Sequence, residues 1–308
     1  MKPSYVFRIA HELGQRKRGL KQSSMLVETM LRNQYSKNNT NLYKYGIIQT
    51  KRTKHDVLYN DESIAYSSIS EIYHTIQALN PSERNIDTKL ELSTPLQPNV
   101  YIGGDHSIST ATLAHSIRRV KKPEDLKVVW IDAHADINSY RSSPTKSLHG
   151  MSLAYATFMD AHHKLRGLFD PYFSVDPQNI LYVGLRSIDP YEKKIIEQTK
   201  IKTISVDAIR SSPYNVAKEI EEFTDNHPTH ISLDVDVIDP CDFPCTGTPS
   251  LNGVRTFELC NMLCELKTLD WFRNVLALDL VEVNYLQGSD RDLIRSQHSL
   301  NSIIQTIL

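Results

Sequence analysis

The 308-residue sequence lacks the features that would point to a membrane or to a nucleic acid. It contains no run of about 20 apolar residues, the length that a membrane helix needs, and its N-terminus has no basic segment followed by an apolar core. It has no excess of charge, because 35 Lys and Arg stand against 36 Asp and Glu, for a net charge of -1. We therefore expect a cytoplasmic protein with a small-molecule substrate, no nucleic-acid partner and no membrane contact.

Cysteine is also scarce, with 4 residues in the whole chain. They form two pairs, Cys241 with Cys245 and Cys260 with Cys264, each spaced by four residues. A zinc site is one interpretation, because thiolate ligands cluster at short spacings. The alternative, which the wider spacing favours, is that Cys260 and Cys264 are free thiols on one buried face of a helix.

Short apolar runs rich in β-formers recur along the chain, at 6–9, 44–48, 100–102, 128–131, 180–183, 202–206, 230–235 and 276–281. Several are continuous rather than alternating, which is typical of strands buried on both faces of a parallel sheet. Helical spacing of apolar residues predicts helices at 24–32, 63–79, 107–119, 190–200, 215–226 and 256–268. The polar stretches 33–41 and 80–98 are expected to be surface connections. The alternation predicts one α/β domain, residues 1–308, with three layers (α/β/α) and a central, mostly parallel sheet of about eight strands.

Imidazole and carboxylate side chains gather at the ends of three predicted strands. They are His106, Asp132, His134, Asp136, Asp234 and Asp236. Ligands of open α/β sheets bind at the carboxyl ends of the strands, so this is where chemistry is expected. Partly desolvated carboxylates need compensating cations, and no Lys or Arg lies inside these segments, which favours a metal site. One such motif alone would more often be a turn, a cap or an ion pair, but their joint occurrence favours the metal.

The mixture of ligands indicates which metals would fit. Imidazole and carboxylate together suit Mn²⁺, Fe²⁺ or Zn²⁺ better than Mg²⁺ or Ca²⁺. Six protein ligands are too many for one catalytic ion that must keep a water, so two ions about 3.5 to 4 Å apart fit better. Residues at i, i+2 and i+4 of an extended segment share a face, so Asp132, His134 and Asp136 are expected to converge, as are Asp234 and Asp236.

These motifs resemble the signatures of the ureohydrolase family, which includes arginase, agmatinase and formiminoglutamase. The matching runs are Gly-Gly-Asp-His-Ser at 103–107, Asp-Ala-His-Ala-Asp at 132–136 and Ser-x-Asp-x-Asp-x-x-Asp-Pro at 232–240. The resemblance implies an arginase-like fold, a homo-oligomer (trimer or hexamer) and two Mn²⁺ ions per subunit. It assigns one ion to His106, Asp132, Asp136 and Asp234, and the other to Asp132, His134, Asp234 and Asp236.

The resemblance extends to the residues that would hold an amino acid substrate. It assigns Asn138, Ser143 and Thr145 to the α-carboxylate, Asp189 and Glu192 to the α-ammonium group, and Thr246 to a further substrate contact. Ser143 and Thr145 stand where the family has Thr and Ser, and each keeps a hydroxyl that can form a hydrogen bond. The implied reaction is manganese-dependent hydrolysis of L-arginine to L-ornithine and urea by a hydroxide that bridges the metals.

Three residues are the catalytic candidates. His149 is expected to shuttle protons, since imidazole titrates near neutral pH, and Glu282 to pair with the planar guanidinium. Asp136 is expected to accept a hydrogen bond from the hydroxide, and Asp105 to hold a metal ligand in place. The alternatives are agmatinase or formiminoglutamase, or a regulatory homologue without turnover. The presence of all six presumed ligands argues against the last.

Overall fold

The computed structural model describes residues 3–15, 17–37, 44–50, 62–80, 96–159, 165, 167–169 and 172–307. The strands are β1 (Tyr5–Ala10), β2 (Lys44–Gln49), β3 (Asn99–Ile102), β4 (Lys127–Ile131), β5 (Ile180–Val183), β6 (Lys202–Ile204), β7 (Thr229–Asp234) and β8 (Val275–Val281). They form one sheet in the order β2-β1-β3-β8-β7-β4-β5-β6, and every pairing is parallel. Each predicted strand is found within about two residues of its predicted bounds, which agrees with the usual uncertainty of element ends.

Helices cover both faces of this sheet, which confirms the three-layer prediction. They are α1 (Leu20–Lys37), α2 (Glu62–Leu79), α3 (Ile108–Arg119), α4 (Ser152–Ala156), α5 (Pro190–Thr199), α6 (Val206–Ser211), α7 (Pro213–Thr224), α8 (Thr256–Thr268) and α9 (Asp290–Ile307). One core contains buried residues of α1, α6, α7, α8 and α9, and the other contains those of α2, α3 and α4. The strands are buried on both sides, which explains their continuous apolar sequences.

Three helices, α4, α6 and α9, were absent from the sequence prediction. The longest, α9, buries Leu300, Ile303, Ile304 and Ile307, at the three- and four-residue spacing of one helix face. Its start carries a cap, since the Ser289 hydroxyl accepts from the Asp292 amide at 3.4 Å. Both signals are in the sequence and could have identified this helix.

The cysteine prediction is wrong in one respect. Cys260 and Cys264 do lie on α8, but Cys264 is exposed and Cys260 only partly buried. Cys241 is exposed and Cys245 is buried. Among the described residues, no group of side chains placed to hold a metal includes a cysteine.

The surface connection predicted at 33–41 is wrong over residues 33–37, which continue α1, and its remainder lies outside the described ranges. Most of the connection predicted at 80–98 also lies outside them, at 81–95. Within the described part of the chain, no helix has the length and apolar character required to cross a bilayer.

Candidate metal centre

Four neighbouring strands in the middle of the sheet, in the order β3-β8-β7-β4, bring the predicted site residues to one edge. His106 comes four residues after the end of β3, and Glu282 directly follows β8. Asp234 is the last residue of β7, and Asp132 follows β4. Ile131 and Leu233 are register partners, so Asp132 and Asp234 lie side by side. Parallel pairing therefore places all these side chains at the carboxyl edge.

The first group of potential ligands surrounds one nitrogen of His106. Its Nδ1 lies 3.0 Å from Asp132 Oδ2, 3.0 Å from Asp136 Oδ2 and 3.1 Å from Asp234 Oδ2. The His106 ring is fully buried and stacks on Trp130, with ring centroids 4.1 Å apart. The indole N–H of Trp130 donates to Asp132 Oδ2 at 3.0 Å. The stack and this hydrogen bond fix the ring and the carboxylate relative to each other.

The second group shares Asp132 and is more open. His134 Nδ1 lies 3.0 Å from Asp236 Oδ2 and 3.6 Å from Asp132 Oδ1. The His134 side chain is 26% exposed, whereas the side chains of Asp132 and Asp236 are fully buried. Thr248 donates its hydroxyl hydrogen to Asp236 Oδ2 at 2.9 Å. The two groups overlap at Asp132, as expected for a pair of ions that share a carboxylate.

The ligands converge through turns, so the prediction of extended segments is wrong. Asp136 has a positive φ of 50°, and Asp236 lies in a 3-10 turn. The Asp236 amide donates to Asp234 Oδ1 at 2.8 Å, and the His134 amide donates to Asp132 Oδ1 at 2.7 Å. Asp tolerates the left-handed backbone better than most residues do, which allows the bend at Asp136.

The glycines beside His106 are explained by close packing. A Cβ on Gly104 would lie 1.9 Å from the carbonyl oxygen of His11. Only glycine fits there, so the turn that leads to His106 can pass against the end of β1.

The donor set fits a metal ion. His106 Nδ1 is buried and has no partner in hydrogen-bond geometry among the described residues, although three carboxylate oxygens lie 3.0 to 3.1 Å from it. A ring nitrogen that faces several carboxylates without forming a hydrogen bond to any of them is the arrangement expected around a cation. Among the described residues, the ion pairs of these carboxylates are with His106 and His134. No lysine or arginine of that part of the chain forms an ion pair with them, although Arg186 lies close enough for Asp236 and Asp132 to act on its charge.

The pKa shifts of Asp234 and His134 also indicate that this cluster favours a positive charge. Burial, followed by the charges of Asp236 and Asp132, raises the pKa of Asp234 well above its usual value. Burial disfavours protonation of His134, but the Asp236 and Asp132 carboxylates outweigh it and raise the pKa of His134 to about 12. The protein alone holds more negative charge here than its own side chains balance.

Glu282 is fully buried beside this cluster. Its Oε1 accepts the backbone N–H of His106 at 2.8 Å and lies 3.4 Å from His149 Nδ1. Its Oε2 accepts the side-chain amide of Gln15 at 2.7 Å. The backbone at Glu282 has a φ of 65°, a left-handed conformation that is uncommon for glutamate and that often marks a functional position.

His149 lies in a short helical turn, Leu148–Met151, just before α4. Burial disfavours its protonation, but the hydrogen bond and the charge of Glu282 outweigh this and raise the pKa of His149. The pair therefore favours a histidine that carries a proton near neutral pH.

The prediction that Asp105 holds a metal ligand is wrong. Its Oδ2 accepts the backbone amides of Gly14 at 2.8 Å and Gln15 at 3.1 Å, and its Oδ1 accepts from Ser107. Asp105 thus fixes the segment that follows β1. The side chain that holds His106 is Ser232, whose Oγ lies 2.7 Å from His106 Nε2. Sequence reasoning missed Ser232, although it precedes Asp234 by two residues and so lies on the same face of β7.

The loop after Asp136 carries the predicted substrate contacts. The Asn138 side-chain amide donates to Asp189 Oδ2 at 2.8 Å, and Ser142 donates to Asn138 Oδ1 at 2.9 Å. Ser143 is buried and Thr145 is exposed, with their hydroxyl oxygens 3.5 Å apart. The residues assigned to the two ends of an amino acid substrate are therefore neighbours in space.

Glu192 and Thr246 occupy different surroundings. Glu192 is buried, and its carboxylate accepts the backbone amides of Ile137 at 3.2 Å and Asp189 at 3.0 Å. Each oxygen accepts one backbone hydrogen bond, so Glu192 holds two loops together. Thr246 is buried in a bridge with Val283, and its hydroxyl has no hydrogen-bond partner among the described residues.

Ser152 is a further contact that the sequence analysis did not anticipate. Its hydroxyl donates to the carbonyl oxygen of His106 at 2.8 Å, across 46 positions of the chain. This bond joins the start of α4, and thus the turn that carries His149, to the first ligand group.

A wholly parallel sheet with two overlapping groups of His and Asp at its carboxyl edge defines an α/β protein with a candidate dinuclear metal centre. The chain belongs to the Arginase family, whose model matches residues 9–302.

Individual relatives agree with this assignment. The chain is 33% identical over 201 residues to an arginase of Neurospora crassa, covering 62% of this chain and 54% of that protein. It is 35% identical over 205 residues to an arginase of Plasmodium berghei, with 62% and 54% covered. The matches thus span about half the length of these relatives. An Entamoeba histolytica arginase structure in complex with L-ornithine superimposes with a TM-score of 0.79 at 25% identity, covering 99% of both chains.

Proposed function

We propose that this chain is a manganese-dependent arginase that hydrolyses L-arginine to L-ornithine and urea. The observation that carries the proposal is the pair of overlapping ligand groups, His106 with Asp132 and Asp234, and His134 with Asp132 and Asp236. Asp136 joins the first group at 3.0 Å from His106 Nδ1. Arginase-named relatives across the family match support the choice of reaction.

Two Mn²⁺ ions held by these residues would supply a hydroxide nucleophile near neutral pH, since divalent metals lower the pKa of a bound water. Buried carboxylates and neutral imidazoles are the ligands that Mn²⁺ accepts. The role of the protein is to hold the ligands in a dry cluster and to bring the guanidinium carbon to the nucleophile.

The chain's own groups can perform the remaining steps. Glu282 orients the planar guanidinium, because a carboxylate matches its fork of N–H donors. His149 faces Glu282 through Nδ1, at 3.4 Å, which leaves Nε2 to give a proton to the departing amine. Asp136 would accept a hydrogen bond from the hydroxide that the metals supply, and would so orient this hydroxide towards the substrate.

The loop around Asn138 favours an α-amino acid over a plain amine. Asn138, Ser143 and Thr145 supply hydrogen-bond donors for a carboxylate, and Asp189 supplies a negative charge for an ammonium group. Agmatine has no carboxylate and would leave these donors unsatisfied, at a cost in binding. Glu192 contributes by fixing the backbone of Ile137, next to Asn138, and Thr246 offers a hydroxyl that has no hydrogen-bond partner in the described part of the chain, beside Val283.

The test is the substrate profile of purified protein loaded with Mn²⁺. Arginine should give ornithine and urea with a kcat/KM well above that for agmatine, which would give putrescine and urea, or for formiminoglutamate, which would give glutamate and formamide. A preference for agmatine or formiminoglutamate would show that the proposed substrate is wrong and that the proposed type of hydrolysis is right. Bound manganese without turnover of any of the three would instead indicate a regulatory homologue.

A matched control separates metal chemistry from contamination by another enzyme. Asp234→Asn removes a carboxylate that both ions would share, so its preparation should release no urea from arginine. We also propose a homo-oligomer, a trimer or a hexamer, which sedimentation equilibrium of the same sample would check.

A further inference from the structure

A buried chain of hydrogen bonds runs from His106 into the middle of the sheet. His106 Nε2 lies 2.7 Å from the hydroxyl of Ser232, and this hydroxyl lies 3.2 Å from that of Ser109 on α3. Ser109 donates to Asp279 Oδ2 at 2.6 Å. Asp279 belongs to β8 and is the register partner of Ser232 in β7. All four residues are fully buried, so they interact without competition from bulk water.

The direction of each hydrogen bond follows from the number of hydrogens available. An ionised carboxylate only accepts, so Ser109 gives its single hydroxyl hydrogen to Asp279. Ser109 must then accept a hydrogen bond from Ser232, and the single hydroxyl hydrogen of Ser232 is used in this bond. Ser232 can therefore only accept from His106, and the proton of the neutral His106 ring is held on Nε2.

This direction matters at the other ring nitrogen. A neutral imidazole carries one proton, so a proton held on Nε2 leaves a lone pair on Nδ1. Nδ1 is the nitrogen that faces Asp132, Asp136 and Asp234 at 3.0 to 3.1 Å. With the opposite tautomer, an N–H would point at the place where the ion must bind.

Asp279 is itself held firmly. Thr112 donates to the same oxygen, Oδ2, at 2.8 Å, and His230 Nε2 lies 3.1 Å from it. The far nitrogen of His230 is 2.8 Å from the hydroxyl of Ser116. Thr112 and Ser116 lie on α3 with Ser109. One helix and two strands therefore fix the Asp279 carboxylate, at which this series of hydrogen bonds ends.

We infer that Asp279 is a positioning residue for the first metal site. Through Ser109 and Ser232 it holds His106 in the tautomer that presents an unprotonated Nδ1 to the ion. The inference deepens the proposed function and rests on it only in requiring that a divalent metal binds at His106.

The experiment measures manganese retention in the full-length protein. Asp279→Ala and Ser109→Ala should each weaken binding at the first site by about 10- to 100-fold, the usual effect of losing a residue that holds a ligand. The second site, at His134, should keep its affinity. After dialysis against limiting Mn²⁺, the variants should show the EPR signal of a single ion in place of the signal of a coupled pair.

A double-mutant cycle tests the route. If Asp279 acts through Ser109, the double variant should have the same manganese affinity at the first site as the single variant with the lower affinity. Additive losses, or equal losses at both sites, would mean that Asp279 has only a structural role, and the inference would be wrong. Ser109→Ala removes one hydroxyl and tests the route even if Asp279→Ala does not fold.

Thr110→Val is the matched control, since Thr110 is a buried residue of the same helix whose hydroxyl has no hydrogen-bond partner among the described residues. It should retain both ions, and a loss equal to that of Ser109→Ala would contradict the inference. Metal retention is independent of substrate. If the variants retain both ions while the wild type hydrolyses arginine, the inference is wrong and the proposed function is unaffected. If the variants lose one ion while the wild type does not hydrolyse arginine, the proposed function is wrong and the inference is unaffected.

Discussion

Asn138 donates a hydrogen bond from its side-chain amide to Asp189, with 2.8 Å between Nδ2 and Oδ2. The contact joins the loop that follows Asp136 to the start of α5, across 51 positions of the chain. In the function proposed above, Asn138 would bind the α-carboxylate of the substrate and Asp189 the α-ammonium group. Their contact would then set the distance between the two halves of the proposed amino-acid subsite.

Replacing Asn138 should change the preference between substrates. Asn138→Ala removes a donor to the α-carboxylate and frees Asp189, so kcat/KM for arginine should fall by about 10- to 100-fold, the value of a hydrogen bond to a charged group. Agmatine, without a carboxylate, should lose little. Steady-state kinetics on both substrates measure this, with Thr268→Ala, which removes an exposed hydroxyl of α8, as the control. Equal losses of kcat/KM for the two substrates would show that Asn138 does not bind the α-carboxylate.

His134 offers a test of the second metal group. His134→Ala removes a ligand that is the most exposed of the cluster and makes no contact with His106, so one ion should be lost and the other kept. Activity should fall by at least about 100-fold, since even residues that only support a ligand cost 10- to 100-fold. Metal analysis of the dialysed protein gives the ratio of ions to chains. Retention of both ions would exclude His134 as a ligand, and His227→Ala, remote in sequence, is the control.

Glu282 should affect the substrate and not the metals. Glu282→Gln keeps the shape and the oxygen that accepts from His106, but it removes the charge that would pair with guanidinium. We expect kcat/KM for arginine to fall by about 100-fold, or about 2.7 kcal/mol, the scale of a broken buried charge pair. Manganese content should stay at the wild-type level, and a loss of metal would show that Glu282 supports the ligands instead.

A fourth prediction concerns stability and pH at the start of α8. Asp242 accepts both Nε and Nη2 of Arg255, at 2.9 and 2.7 Å, and the Thr256 amide at 2.9 Å. The hydrogen bond from Arg255 holds the pKa of Asp242 below its usual value. A lowered pKa adds stability above the unfolded value of about 4, and this stability is lost as the pH falls through the folded pKa.

Asp242→Asn should therefore lower the free energy of unfolding by about 1 kcal/mol at pH 7, a modest value because Arg255 is partly exposed. The difference should begin to shrink as the pH falls below about 4, the unfolded value, and should close only below the lowered folded pKa of Asp242, where the wild-type carboxylate is also neutral. Urea unfolding of metal-free protein at several pH values measures it. Asp207→Asn, which breaks an exposed pair with Arg210, is the control and should have no effect at any pH. A constant difference across the pH range would show that charge plays no part.

The local sequence was enough to predict the strands. A run such as Val128 to Ile131 has no polar position, so it fits only where both faces are covered, and it forms the buried β4. The strand predicted at 202–206 was too long and α6 was missed, because Val206 continues an apolar run, whereas the Ser205 side chain caps a helix there by accepting the Ala208 amide at 3.2 Å. Capping competes with β-propensity at that point and prevails.

The candidate site was predictable in composition but not in detail. His106, Asp132 and Asp234 are conspicuous because polar groups seldom follow such apolar strands. The support of His106 by Ser232 and the hydrogen bond from the Ile137 amide to Glu192 were not predictable. Those contacts join residues 55 to 126 positions apart, and pattern alone carries no information on such pairings.

The sequence by itself determined the α/β fold, the ligand set and the family resemblance, because strand burial and ligand chemistry are properties of short segments. Only the tertiary structure decided that β3, β8, β7 and β4 are neighbours and that Asp136 bends into the cluster. It also decided that a buried line of hydroxyls connects His106 to Asp279. These features depend on strand order and on helix packing over the sheet, which are settled when distant parts of the chain bury their apolar faces together.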